Sequence, residues 1–275
     1  RQMCIRDRFK HFKKTYDENI LDIKGGLNDV VMNNSPIDID KLIEGTNEIL
    51  TANRNSLQLF DMLHSMRQFD DLTYVHSVNV ALIASILGQW LKFSEKDIRI
   101  LTISGLLHDI GKIMIPNEIL TKPGKLTVAE YNIMKQHVNF GYEKVKNQNI
   151  DIRIKEACLL HHEKCDGTGY PFGLKSDHIP AVAKIIAIAD VYDAMTSARV
   201  YRGALCPFEV IDTMYKDAFT KFEPEYILPF LKNVASSYIN NDVRLSDGRI
   251  GKVVLINENA LSLPCLLYTS DAADD

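Results

Sequence analysis

Apolar positions along this chain repeat with the 3.6-residue period of a helix from residue 38 to about 237, and strand-like alternation appears only after that. Ile39, Leu42, Ile43, Ile49 and Leu50 line one predicted helix, and Leu57, Leu59, Phe60, Met62 and Leu63 suggest another. VHSVNVALIASILGQWL, residues 75–91, is nearly all apolar on one broad face, the pattern of a buried core helix. Start signals precede the next two helices. Ser94 with Asp97 resembles a capping box before DIRILTISGLL, and Thr127 with Glu130 is a cleaner one before YNIMKQHVNFGYEKV. Gly111, Pro116, Pro123 and Gly124 break the chain between them. Further helices are predicted from about Ile150 into His161, from Pro180 to about Ser197, and over 207–219 and 224–237. VRLSDGRIGKVVLIN, residues 243–257, alternates β-forming residues around Asp247-Gly248, the composition of a tight hairpin. A lone hairpin is marginally stable, so this one should pack on the helices or continue further along the chain. No internal repeat and no low-complexity tract interrupts the pattern.

Composition adds bounds to this picture. With 275 residues, 46% apolar and 25% charged, the chain matches an ordinary soluble protein, long enough for one large domain or two small ones. A net charge of -4 argues against broad binding to long nucleic acid, while a local basic pocket stays open. RQMCIRD with Arg8, and CLLYTSDAADD, read as translations of the adapter used in transposase-based sequencing libraries. Residues 1–8 and 265–275 are therefore set aside, and 9–264 is expected to be part of a longer chain. The remaining cysteines, Cys158, Cys165 and Cys206, are odd in number and lack a paired metal-binding spacing, which fits a reduced cytosolic setting. No apolar run reaches the roughly 18 residues that a membrane helix needs.

Candidate chemistry lies in the histidines. Of eight, His76 lies on the apolar helix, His108 and Asp109 close LTISGLL just before Ile110-Gly111-Lys112, and His137 sits in another amphipathic helix. His161 and His162 end a fourth helix, and Asp190 interrupts IIAIADVYDAM. A helical bundle can point such residues inward to one centre, and imidazole with carboxylate suits first-row metals. A lone histidine on an apolar helix is more often a packed one. Asp190 is harder to dismiss, because a carboxylate in so apolar a run costs several kcal/mol or more unless a cation neutralises it. His11, His64 and His178 show no partner pattern and read as surface or packing residues.

LLHDIGK, with His108-Asp109, resembles the signature of the HD phosphohydrolase superfamily, and HHEKCDGTGYP followed by IPAVAKIIAIADVYDAMTSARVYR resembles its HD-GYP branch. The resemblance extends from about residue 38 to 257. It implies an all-α fold, an HD-domain helical bundle with a small C-terminal β-hairpin, divided as an N-terminal helical region (9–70), a catalytic domain (71–240) and a hairpin segment (241–264). It implies hydrolysis of cyclic di-GMP to pGpG, with GMP as a further product left open, at two divalent metal ions, iron or manganese. Carried over by position, His76, His108, Asp109 and Asp190 would hold one metal, and Asp109, His137, His161 and His162 the other. The family's third metal, where present, uses a Glu four residues before the first histidine. Here that position is Leu72, with Asp71 one residue further back, so a binuclear site is expected.

The resemblance also places Lys112, Tyr170, Asp193, Arg199 and Arg202 at substrate-contacting positions, with Asp109 and Lys112 acting in catalysis. Arginine's planar fork suits phosphate oxygens and the Hoogsteen edge of guanine. Departures from the family pattern are few: Ser176 stands for a glycine, Lys184 for an arginine and Val200 for a proline. Ser176 would alter the loop if that position needs positive φ. Two other readings stay open, a non-catalytic cyclic di-GMP receptor and a phosphodiesterase for another cyclic dinucleotide. The resemblance implies a cytoplasmic protein, or the cytoplasmic part of a larger one. It leaves open a homodimer through a helix such as 38–68 and an upstream sensor or receiver domain.

Overall fold

In the computed structural model, which describes residues 2–52, 59, 60, 63, 72–197, 205–245 and 247–268, the chain forms a helical bundle with a small antiparallel sheet near its C-terminal end. The helices are α1 (Gln2–Asn33), α2 (Ile39–Ala52), α3 (Leu72–Trp90), α4 (Glu95–Leu107), α5 (Asn117–Leu120), α6 (Val128–Met134), α7 (His137–Val145), α8 (Ile152–Leu160), α9 (Ala181–Thr196), α10 (Pro207–Asp217) and α11 (Pro224–Ser237). Short 3-10 turns lie at Ile110–Met114 and Ser176–His178. The strands are β1 (Asp242–Arg244), β2 (Ile250–Leu255) and β3 (Cys265–Tyr268).

The apolar run 75–91 falls within α3 up to Trp90, and its composition puts it at the centre. Val78, Val80, Ala81, Leu82, Ala84 and Leu87 are fully buried, and α1, α2, α4, α9 and α11 pack around them. Each fully buried valine or leucine among them contributes about 1.5–3 kcal/mol relative to exposure. α1 presents Phe12, Tyr16, Ile20, Ile23, Leu27 and Val30 at spacings of three and four, a continuous stripe buried against α2 and α3. It starts inside residues 1–8, a stretch without Pro or Gly that offers helical backbone bonding no obstacle. Leu59, Phe60 and Leu63 are buried as their pattern suggested, whereas Leu57 and Met62 lie outside the described residues.

Both caps read from the sequence form. Ser94 Oγ accepts from the Asp97 N–H at 3.2 Å. Thr127 Oγ1 accepts from the Glu130 N–H, and Glu130 Oε2 accepts from the Thr127 N–H at 2.7 Å. The helix expected across 131–145 is broken, however. α6 stops at Met134, the backbone turns through Lys135 and Gln136, and α7 restarts at His137. The sheet has antiparallel β1 and β2 in the register Val243↔Gly251, with Gly248 at φ +90° in the turn. A third strand, β3, pairs with the free edge of β2, a pairing made by main-chain groups and the β-forming run Cys-Leu-Leu-Tyr. No helix among the described residues is long and apolar enough to cross a membrane.

Candidate metal centre

Three helix ends and two helix walls converge on one point. His108 is the C-cap of α4, His137 is the first residue of α7 and His161 is the C-cap of α8; His76 and Asp190 project from α3 and α9. The helix termini explain the geometry. Near each end a backbone carbonyl lies within reach of the histidine Nδ1, and a carbonyl can only accept. His108 Nδ1 therefore donates to the Gly105 carbonyl at 2.8 Å, His137 Nδ1 to Met134 at 2.8 Å and His161 Nδ1 to Ala157 at 3.0 Å. In the neutral ring each Nε2 then carries a lone pair directed inward. The break between α6 and α7 supplies one of these carbonyls, so the departure from a continuous helix sets the orientation of His137.

Asp109 stands between the rings. Its φ of -102° and ψ of 11° place it in the bridge region as the chain turns from α4 into the 3-10 turn. Oδ2 lies 3.2 Å from His108 Nε2 and 3.5 Å from His76 Nε2, while Oδ1 lies 3.3 Å from His137 Nε2 and 3.8 Å from His161 Nε2. Asp190 Oδ1 lies 3.0 Å from His76 Nε2. Two clusters of ligand-type atoms result, each within 4.8 Å: Asp109, His137, His161 and His162, and beside them His76, His108 and Asp190.

Whether the set suits a metal can be judged from its hydrogen bonding. His137 Nε2 and His161 Nε2 face each other at 3.5 Å, yet neither has a proton to give, because both Nδ1 protons are committed. His108 Nε2 and Asp109 Oδ1 are buried without any hydrogen-bond partner. Such a nest of inward acceptors is costly unless a cation fills it, and imidazole with carboxylate is a good donor set for divalent first-row ions. The protonation states agree. Burial pushes His162 down to about 3 despite Asp190, and lowers His137 and His161 as well. Asp109 stays well below the usual carboxylate range: burial opposes this, and its contacts with His108 and Lys112 outweigh it. Asp190 is also held low, against burial, by its hydrogen bond to His76. Neutral imidazole and ionised carboxylate are the forms that bind metal. His76 differs. Burial would lower it, but hydrogen bonds to Asp190 and Asp193 hold it at about 9.

Both histidines of HHEKCDGTGYP face the cluster, with ring centroids 5.5 Å (His161) and 5.1 Å (His162) from His137. Tyr170 stacks on His162 at 4.7 Å, so the loop does bring it over the site. Gly167, at φ +82°, makes the reversal, and a Cβ on Gly169 would meet the Glu163 Cα at 2.5 Å. Lys112 Nζ forms a short ion pair with Asp109 Oδ2 and is partly open to solvent. Arg199 and Arg202 lie outside the described residues, as do Asp71, Val200 and His64. His11 and His178 are exposed.

Asp193 has a buried side chain whose Oδ2 bonds His76 Nδ1 at 2.7 Å and whose Oδ1 accepts from Asn79 Nδ2 at 2.9 Å, so it orients a candidate ligand. Ser176 needs no positive φ: it lies in a 3-10 turn, where it donates to Glu223 Oε2 at 2.6 Å and accepts from Lys184 Nζ at 2.8 Å. Lys184 also pairs with Glu223 at 2.7 Å, so two departures from the family pattern meet in one contact.

Glu163 was missed. It is buried, and its carboxylate accepts the backbone N–H groups of Phe172 (2.7 Å), Gly173 (3.1 Å) and Leu174 (2.9 Å). A charged residue directly after two candidate ligands was the available signal. Glu163→Gln replaces one acceptor oxygen with an amide that faces a donor. It is expected to lower stability by about 1.5–3 kcal/mol, seen as a lower Tm and faster proteolysis within residues 163–175.

A family model described as "HD domain" matches residues 43–226, two thirds of the chain. The chain belongs to the HD domain family. Within it, the order of His76, HDIGK, His137, the double histidine and GYP is that of the HD-GYP branch. This HD domain protein is 36% identical over 200 residues to a cyclic di-GMP phosphodiesterase of Pseudomonas aeruginosa, covering 72% of this chain and 48% of that one. It is 36% identical over 197 residues to the cyclic di-GMP phosphodiesterase response regulator RpfG of Xanthomonas campestris, covering 71% and 52%. It is also 36% identical over 173 residues to a 3'3'-cGAMP-specific phosphodiesterase of Vibrio cholerae, covering 62% and 38%. The chain thus spans about half the length, or less, of these relatives.

Proposed function

We propose that this chain is a metal-dependent phosphodiesterase that hydrolyses cyclic di-GMP to pGpG in bacterial second-messenger signalling. The observation that carries the reading is Asp109, whose two oxygens are divided between two facing sets of inward-pointing donors. In this reading Asp109, His137, His161 and His162 would hold one divalent ion, and His76, His108, Asp109 and Asp190 the second. Iron or manganese bound there would supply Lewis acidity and positive charge toward a phosphate.

The residues do the rest. Asp109 and Asp190 bring the negative charge that keeps cations in a buried site, and the neutral imidazoles complete it without adding repulsion. Lys112 presents an ammonium at the solvent-facing edge, where it can meet a phosphate oxygen. Tyr170, braced against His162, forms an apolar wall beside it. Arg199 and Arg202 are assigned to phosphate or guanine contact from their positions in the sequence. Leu72, at the family's third-metal position, favours two ions over three. The cytoplasm, where cyclic dinucleotides signal, is the proposed location, and an upstream sensor or receiver domain and a homodimer the proposed partners.

A second substrate has a specific observation behind it, since relatives at similar identity are named for cyclic di-GMP and for 3'3'-cGAMP. Protein purified without oxygen and supplied with iron or manganese should bind two ions and convert cyclic di-GMP to pGpG faster than 3'3'-cGAMP, followed by chromatography of the products. Faster turnover of 3'3'-cGAMP reassigns the substrate, and tight binding of cyclic di-GMP without turnover makes the protein a receptor.

A further inference from the structure

His76 is oriented differently from its neighbours. His108, His137 and His161 take their tautomer from a carbonyl three or four residues upstream, a contact fixed as soon as the local helix end forms. His76 sits inside a helix whose carbonyls are already bonded, so its Nδ1 turns to a side chain 117 residues away, Asp193 Oδ2, at 2.7 Å. The other Asp193 oxygen accepts from Asn79 Nδ2 at 2.9 Å, and Asn79 Oδ1 accepts from the Tyr16 hydroxyl at 2.5 Å. Tyr16, Asn79 and Asp193 are 1%, 4% and 2% exposed, so water does not substitute for any link. The bonds converge on the Asp193 carboxylate from both sides. The tyrosine hydroxyl donates to the asparagine carbonyl, the asparagine amide donates to the carboxylate, and the carboxylate accepts from Nδ1, which leaves Nε2 for Asp190 and Asp109.

This path starts on α1. Asn79 and His76 lie three residues apart on one face of α3, and Asp193 comes from α9. We propose that Tyr16, Asn79 and Asp193 are positioning residues that couple the docking of α1 to the orientation of His76, so that α1 sets how tightly the His76, His108 and Asp190 half of the centre holds its ion. The inference rests on the reading of the cluster as a metal site. An upstream helix that shifts on α3 then changes one half of the site and leaves the other half, built from local helix-end contacts, intact. Groups that hold a metal-ligating histidine through its second nitrogen typically change metal affinity 10- to 100-fold.

The test is Mn(II) binding to the full chain, followed by calorimetry, in wild type, Tyr16→Phe, Asp193→Ala and Phe12→Leu. Tyr16→Phe keeps the ring, which stacks on Phe12 at 5.8 Å, and removes only the hydroxyl. It should weaken one of the two Mn(II) ions about 10-fold and leave the other unchanged, and Asp193→Ala should weaken the same ion by at least as much. Phe12→Leu loosens α1 packing one turn away and removes the stacking on the Tyr16 ring but none of the hydrogen-bonding atoms of the path, so it should lower Tm, weaken the same ion by less than Tyr16→Phe does and leave the other ion unchanged. Unchanged affinities in Tyr16→Phe, with helix content intact by circular dichroism, overturn the coupling alone. So does equal weakening of both ions in Tyr16→Phe and Phe12→Leu. Absence of Mn(II) binding in wild type overturns the metal reading, and the coupling with it.

Discussion

Asp109→Ala is expected to lower cyclic-dinucleotide hydrolysis by at least about 10³-fold, beyond the ~10²–10³-fold that removing one preorganised stabilising group typically costs, and to leave less than one tightly bound metal ion per chain. The size follows from position. Among the described residues, Asp109 is the one placed between the two histidine sets, with one oxygen toward each. Its loss removes one of the two buried carboxylates in the cluster and one donor from both halves together. Lys112 loses its partner, but as a partly exposed side chain it can turn to solvent, so the fold should survive with its helix content intact. Turnover assays, metal content by mass spectrometry and far-ultraviolet circular dichroism check the three parts. Activity at the wild-type level in a folded Asp109→Ala protein would eliminate the proposed mechanism.

Gly111→Ala should be the more damaging change for the fold. A Cβ at this position would stand 1.9 Å from the His137 carbonyl oxygen and 2.5 Å from the Gly141 N. Both are backbone atoms, so no rotamer relieves the clash and α7 itself must move away from the 3-10 turn. Overpacking of this kind costs about 3 kcal/mol or more, roughly 6–12 °C in Tm for a domain of this size. His137 moves with α7, so the ion it would help to hold should weaken as well. Gly25→Ala is the matched control, because its added Cβ meets nothing within 4 Å in α1 and alanine favours the helix there. Thermal melts of the two variants, side by side, decide the point: a Tm for Gly111→Ala within about 2 °C of wild type would contradict the close approach of α7 to that turn.

Much of this was legible in the residues. The Ser94 N-cap and the Thr127 capping box formed, because a cap is made between groups three residues apart and needs nothing from the rest of the chain; at Ser94 the Asp97 carboxylate takes the hydroxyl and not the backbone N–H, so that box is half made. α3 was recognisable as the core helix because its apolar run leaves no polar face to put in water. Asp190 announced itself by interrupting an apolar helix, and the spacing HDIGK was distinctive enough to point to a family. Asn79 carried the same kind of signal as Asp190, a polar residue inside an apolar helix and three residues from His76, but on its own it named no partner. The break before His137 was hidden, since Lys135 and Gln136 are ordinary helix formers and no Pro or Gly marks the turn.

What the sequence by itself determined was therefore the set of local structures and the inventory of groups that must be neutralised: the helices, the caps, the hairpin, and histidines and carboxylates too polar for where they sit. Those features depend on contacts within a few residues, or on the cost of burying a charge, and both can be read along a line. Only the tertiary structure decided who meets whom. It divided the two oxygens of Asp109 between two histidine sets, set Asp193 against His76, gave Glu163 the backbone of the GYP loop, and joined Tyr16 to Asn79 across 63 residues. Such partners are selected by how the helices pack, and many pairings of the same residue types are equally compatible with the linear pattern until packing brings one of them within 3 Å.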